Sequence, residues 1–152
     1  MNYRQEYEKW LASPALSEDE RAELRALEGN DKEIKARFYG PLEFGTAGLR
    51  GTMYTGLHNM NRHVIRWATQ GFANVIRAEG TEAMQKGVAV CMDCRNHSAE
   101  FARETACVMA ANGIHVRLFE SLRPTPELSF AVREYGCQAG VNVTASPNPK
   151  EY

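Results

Sequence analysis

Four stretches of the sequence combine residue types suited to a charged ligand. Phe44-Gly45-Thr46-Ala47-Gly48-Leu49-Arg50-Gly51 sets one arginine among glycines. Glycine lets a backbone approach a ligand and present its N–H groups, and an arginine fork can hold a phosphate through two bonds. Asp93-Cys94-Arg95-Asn96-His97-Ser98 and Arg123-Pro124-Thr125-Pro126 add charge and turn residues. Thr144 to Lys150, read Thr-Ala-Ser-Pro-Asn-Pro-Lys, adds hydroxyls, an amide and an ammonium group. Taken singly, none of these decides. The glycine segment is neither G-x-G-x-x-G nor a phosphate loop ending in Lys-Ser/Thr, so Arg50 is either a phosphate contact or a salt-bridged surface arginine. Ser146 is not in a G-x-S-x-G elbow, and none of the four histidines has triad or metal spacing; a bare serine there reads as a turn residue. Asp93 and Arg95 pair with backbone or with each other.

The elements that position these stretches follow from periodicity and punctuation. Residues 1–40 read as a helical extension, with a capping box of Ser17 and Glu20, a stop at Gly29, and a second short helix from Lys32 to Tyr39. Gly45, Gly48, Gly51 and Gly56 then demand loop or edge-strand geometry. Val64, Ile65, Ala68, Phe72, Val75 and Ile76 recur at helical spacing until Gly80. Val88 to Met92 is an uninterrupted apolar run, as in a strand buried on both faces. A helix capped by Ser98 runs to Asn112-Gly113, and a short strand covers His115 to Phe119. Thr125 as cap and Pro126 as first helical residue start another helix, which ends near Gly136. Ala139 to Val143 is the last strand.

Strand, helix, strand, helix, strand is the order of a largely parallel sheet covered on both faces. The expected fold is α/β: a three-layer α/β/α domain at 41–152 with a mixed, mostly parallel sheet, preceded by the extension at 1–40. Open sheets of this kind bind ligands at the carboxyl ends of their strands, where three of the four stretches fall.

Composition removes several classes of function. Eighteen Lys and Arg against nineteen Asp and Glu leave no electrostatic footprint for nucleic acid. No apolar run approaches the roughly 18 residues of a membrane span. The first ten residues lack the apolar stretch of a secretory signal, so a cytoplasmic location is expected. Cys91, Cys94, Cys107 and Cys137 read as buried reduced thiols. Cys91 and Cys94 form a C-x-x-C, but no second pair completes a zinc site.

In combination the stretches carry more. FGTAGLRG at 44–51, Asp-x-Arg at 93–95, Pro-Thr-Pro at 124–126 and VTASPNPK at 143–150 occur in this order and closely resemble the first domain of the α-D-phosphohexomutases. Trp10-Leu11 and LEFGTAGLRG look most like the long phosphoglucomutase and phosphopentomutase branch. The resemblance implies a phosphosugar mutase that moves a phosphoryl group between C1 and C6 (or C5) of a sugar phosphate through a phosphoserine and a sugar bisphosphate. It puts Ser146 at the phosphoryl carrier and Arg50 at the arginine that helps bind charged groups. Thr46, Asn148 and Lys150 fall in the same loops. It implies Mg2+, bound to the phosphate on Ser146 and to aspartates of a following domain. It further implies that this chain is the first of four domains, with the rest of the polypeptide as its partner, and that it does not turn over alone.

One position departs from the family pattern. The family has a histidine after the serine, and Pro147 stands there. Proline neither stabilises phosphate oxygens nor moves a proton, and it biases Ser146 toward an extended backbone. Restoring the ring with Pro147→His is expected to leave Ser146 phosphorylation undiminished. A module that binds phosphosugars without catalysis is the alternative, and Pro147 is its support. A serine hydrolase has no positioned histidine and acid.

Overall fold

The computed structural model describes residues 2–46 and 48–145, and packing divides the chain into two units after Val64. This boundary lies later than the change in composition at Gly40, so the glycine-rich segment belongs to the first unit.

Three short helices build the first unit. Asn2 caps α1 (Tyr3–Leu11), Ser17 and Glu20 form the expected capping box on α2 (Glu18–Arg25), and Asn30 caps α3 (Asp31–Phe38). Their apolar faces meet around Leu24 and Phe38, both fully buried, with Leu16, Leu27, Ile34 and Leu57. Each such side chain contributes about 1.5–3 kcal/mol relative to exposure. Tyr7 and Trp10 meet Phe38 edge-on, each with ring centroids 5.7 Å away. The glycine-rich segment forms a minimal antiparallel ribbon of β1 (Phe44–Gly45) and β2 (Gly48–Leu49), and Gly48 takes the φ of +102° that its turn requires.

After the ribbon the chain is pinned by a polar knot. The Glu23 carboxylate accepts from the Thr55 N–H at 3.2 Å, from the Thr55 hydroxyl and from the Arg37 guanidinium. Arg37 is only 7% exposed; it also pairs with Glu33 at 3.0 Å and lies over the Tyr54 ring at 4.4 Å. Gly56 passes so close that an added Cβ would sit 2.8 Å from Asn59 Oδ1 and 2.9 Å from Arg37 Cβ. Asn61 then accepts from the N–H groups of His63 and Val64, both at 3.1 Å, and so caps α4 (Arg62–Ala78).

The second unit is three layers deep. α5 (Thr81–Lys86) leads into β3 (Val88–Met92), followed by α6 (Ser98–Ala111), β4 (Val116–Leu118), α7 (Thr125–Glu134) and β5 (Ala139–Val143). β3 is central and parallel to both neighbours, in the order β4–β3–β5, with Val88 opposite Val116 and Ala139. Side chains of a strand alternate between faces. Val88, Val90 and Met92 pack with Ala73 and Ile76 of α4, Ala83 of α5, and Ala102 and Met109 of α6. Ala89 and Cys91 pack on the other face against Leu128 of α7. The expected α/β/α layering is therefore present, its described sheet entirely parallel and the antiparallel pairing confined to the β1–β2 ribbon.

Some local expectations shift. α5 is a helix of six residues that the sequence reading passed over, because so short a run shows no period. Ser98 is the first helical residue of α6, not its cap: His97 takes that place at φ +62°, and the Ser98 hydroxyl is drawn to Asp93. Pro124 likewise caps α7 in place of Thr125, whose hydroxyl accepts from Asn142 Nδ2 at 2.7 Å. Of the cysteines only Cys91 is buried; Cys94 and Cys107 are exposed and Cys137 is intermediate, since Cys94 lies beyond the end of β3 and Cys107 faces out of α6.

Candidate active site

The carboxyl ends of β3 and β5 are joined through one side chain. Asp93 immediately follows β3, and its N–H donates to the Val143 carbonyl at 3.1 Å, extending the parallel ladder by one step. Its carboxylate then works in two directions. Oδ1 accepts from the Arg95 N–H at 2.9 Å and the Ser98 hydroxyl at 2.7 Å, which shapes the turn into α6. Oδ2 accepts from the Thr144 hydroxyl at 2.6 Å and the Ala145 N–H at 3.3 Å, which holds the loop leaving β5. Partial burial works to raise the Asp93 pKa, but bonds from Ser98, Thr144, Arg95 and Ala145 outweigh it and leave the carboxyl below its ordinary value. Asp93 is thus an anionic peg with its acceptor sites occupied.

Of the expected site residues, Ser146, Asn148 and Lys150, together with Pro147, lie outside the described residues. Asp93, expected to pair with backbone or with Arg95 and part of the Asp-x-Arg motif, holds the two residues directly ahead of Ser146. The sequence carries a signal for this: an acid at a strand end, a hydroxyl residue at 98 after the turn that follows it, and another at 144 directly after a second strand.

β3 and its neighbours also close around Cys91. Its thiol donates to the Arg123 carbonyl at 3.1 Å, while the Arg123 N–H donates to the Met92 carbonyl at 3.2 Å. Burial raises the Cys91 pKa, so this thiol is a packing group and not a thiolate.

In the first unit, Thr46 is exposed at the turn of the β1–β2 ribbon, and Arg50 follows β2 directly. The Arg50 side chain lines a cleft of about 250 Å³ with Arg37, Thr52, Tyr54 and His58. Arg37 is committed to Glu23 and Glu33, whereas Arg50 has no ion-pair or hydrogen-bond partner among the described residues. The salt-bridged alternative for Arg50 is therefore not what the described residues show, and its guanidinium is available to an anion.

A parallel sheet layered between helices, with its connecting loops gathered at one edge, defines an α/β/α domain of the open, ligand-binding kind. Residues 41–152 match the family described as phosphoglucomutase/phosphomannomutase, alpha/beta/alpha domain I, and the chain belongs to that family, the α-D-phosphohexomutases. A phosphopentomutase of Homo sapiens is 38% identical over 154 residues, covering 97% of this chain and 25% of the relative. A phosphoglucomutase of Staphylococcus saprophyticus is 39% identical over 122 residues, covering 80% of this chain and 22% of the relative. A phosphomannomutase of Mycoplasma pneumoniae is 33% identical over 147 residues, with 95% and 26% covered. The chain spans about a quarter of the length of the curated relatives it matches. No solved structure is a significant match. No helix among the described residues is long and apolar enough to cross a membrane.

Proposed function

We propose that the chain is the phosphoryl-carrying domain of a phosphosugar mutase, with Ser146 as carrier and a sugar phosphate as substrate. What supports the reading is the place of Thr144 and Ala145: they leave β5 beside the end of the central strand, at the sheet edge where this fold class takes its ligands. Ser146 is the next residue in the sequence. In the forward step the bond from Ser146 Oγ to phosphorus breaks as a sugar hydroxyl oxygen bonds to phosphorus. In the return step the other phosphate of the sugar bisphosphate passes back to Oγ. Each transfer exchanges a hydroxyl proton for a phosphoryl group, so the cycle is proton-neutral. Such a reaction depends on in-line placement and on neutralising the equatorial oxygens. The family resemblance assigns Arg50 to that neutralisation, with Thr46, Asn148 and Lys150 as further donors.

Mg2+ belongs to this reading, but the described residues do not form a site for it. No group of three or more His, Cys, Asp or Glu converges among them, and the Asp93 oxygens are already taken by four donors. A cation here would need the phosphate on Ser146 and ligands from outside the described residues.

The test is intact-mass and phosphopeptide measurement on the full-length gene product after incubation with a sugar bisphosphate. One phosphoryl group on Ser146, absent from Ser146→Ala, is expected. Persistent absence of phosphate together with no turnover favours the non-catalytic binding module that Pro147 suggests.

A further inference from the structure

We infer that Asp93 is a positioning residue for phosphoryl transfer at Ser146, acting through Thr144 and Ala145; the inference rests on the phosphoserine reading above. A flexible loop would present the serine oxygen over a wide range of angles, and displacement by about 1 Å at a reacting atom costs on the order of 100-fold in rate. The chain counters this with three bonds from one residue, one to the end of β5 and two to the residues that leave it. The Asp93 N–H holds the Val143 carbonyl at 3.1 Å, and Oδ2 holds the Thr144 hydroxyl at 2.6 Å and the Ala145 N–H at 3.3 Å. Ala145 N–H is the last backbone donor ahead of Ser146. The residue after the serine is Pro147, which has no backbone N–H to offer as an anchor.

The peg is itself fixed. Oδ1 is held by the Arg95 N–H and by the Ser98 hydroxyl, and Ser98 is buried at the first turn of α6. The carboxylate therefore cannot swing to follow the loop without losing bonds on its other side. Charge is required as well as shape. An amide at this position has one acceptor oxygen for two backbone N–H donors, Arg95 and Ala145, and must leave one of them unmet.

The experiment compares Thr144→Val, Thr144→Ser and Asp93→Asn in the full-length gene product. Ser146 is first dephosphorylated, and its rephosphorylation by a sugar bisphosphate is followed by mass. Thr144→Val is expected to keep the wild-type melting midpoint and the KM for bisphosphate, and to lower kcat roughly 10- to 100-fold. Thr144→Ser, which restores the hydroxyl, should return to within about threefold of wild type. Asp93→Asn should fall as far as Thr144→Val or further, and adding Thr144→Val to it should change little. A fall in the melting midpoint of Thr144→Val that accounts for its lost rate would mark a merely structural role and overturn the inference. So would a Thr144→Val variant within about threefold of a phosphorylated wild type. A wild type that never takes phosphate on Ser146 overturns the phosphoserine reading, and this inference with it.

Discussion

The Thr144 hydroxyl donates to Asp93 Oδ2 at 2.6 Å across a sequence separation of 51 residues, tying the loop beyond β5 to the end of β3. The two strands are already neighbours through five register pairs, from Val88 with Ala139 to Met92 with Val143. What the side-chain bond adds is direction: it carries the order of the sheet past its last rung and into the loop.

Asp93 should make the second unit acid-sensitive. Its pKa is lowered in the folded chain, so its contribution is complete above the unfolded value, about pH 4, and is lost as pH falls through the lower folded value. The urea midpoint should therefore drop between about pH 5 and pH 2, and Asp93→Asn should flatten part of that slope. Glu20 is shifted the same way in the first unit: burial raises its pKa, but bonds from Ser17, Arg62 and His63 outweigh that, so a residual slope remains in the variant. Parallel profiles for wild type and variant would refute the assignment to Asp93.

Glu23→Gln should destabilise the first unit by about 1–3 kcal/mol. The change keeps the shape but replaces the anion that faces Arg37, whose side chain is 9% exposed, and that receives both donors of Thr55. Glu8→Gln, at an exposed position on α1, should stay within about 0.5 kcal/mol of wild type. Chemical denaturation of the two variants side by side separates the knot from a general effect of lost charge.

Arg50→Ala should leave stability within about 0.5 kcal/mol of wild type, because the exposed side chain has no partner among the described residues. If Arg50 meets phosphate, the same change should weaken binding of a sugar bisphosphate by about 1.5–3 kcal/mol, read by calorimetric titration. Loss of stability with unchanged affinity would reverse the assignment.

The thiols should separate by place. Cys94 and Cys107 are exposed and should react with a disulfide reagent in the native chain. Cys91, buried and with its pKa raised by burial, should react only as the chain unfolds. Peptide mapping after brief labelling identifies which thiols reacted, and native labelling of Cys91 at the rate of Cys94 would contradict the packing.

The parts legible in the sequence are those whose signal is local. Val88 to Met92 announces a buried central strand because five apolar residues in a row suit nothing exposed, and Ser17 with Glu20 announces a helix start because both bonds of the box close within one turn. The α5 helix has too few residues to show a period. The Glu23–Thr55 contact and the Asp93–Thr144 bond join residues 32 and 51 apart, and only the folded chain brings them together. His97 is a different case: nothing about a histidine forecasts a left-handed cap, whereas serine is a residue type that favours the cap position. The family motifs are readable as a set, whereas the Asp93 contacts to Thr144 and Ala145 need the folded chain.

In the order β4–β3–β5, only β3 is paired on both sides among the described residues. Among these residues each outer strand has one line of backbone donors and acceptors without a strand partner. β4 carries Arg117 at its centre, a charge that discourages stacking, but β5 reads Ala-Gly-Val-Asn-Val and carries none. A preparation of these residues by themselves will therefore gather into oligomers along β5 first. A charge on β5 of the kind that Arg117 gives β4 is what should keep it dispersed.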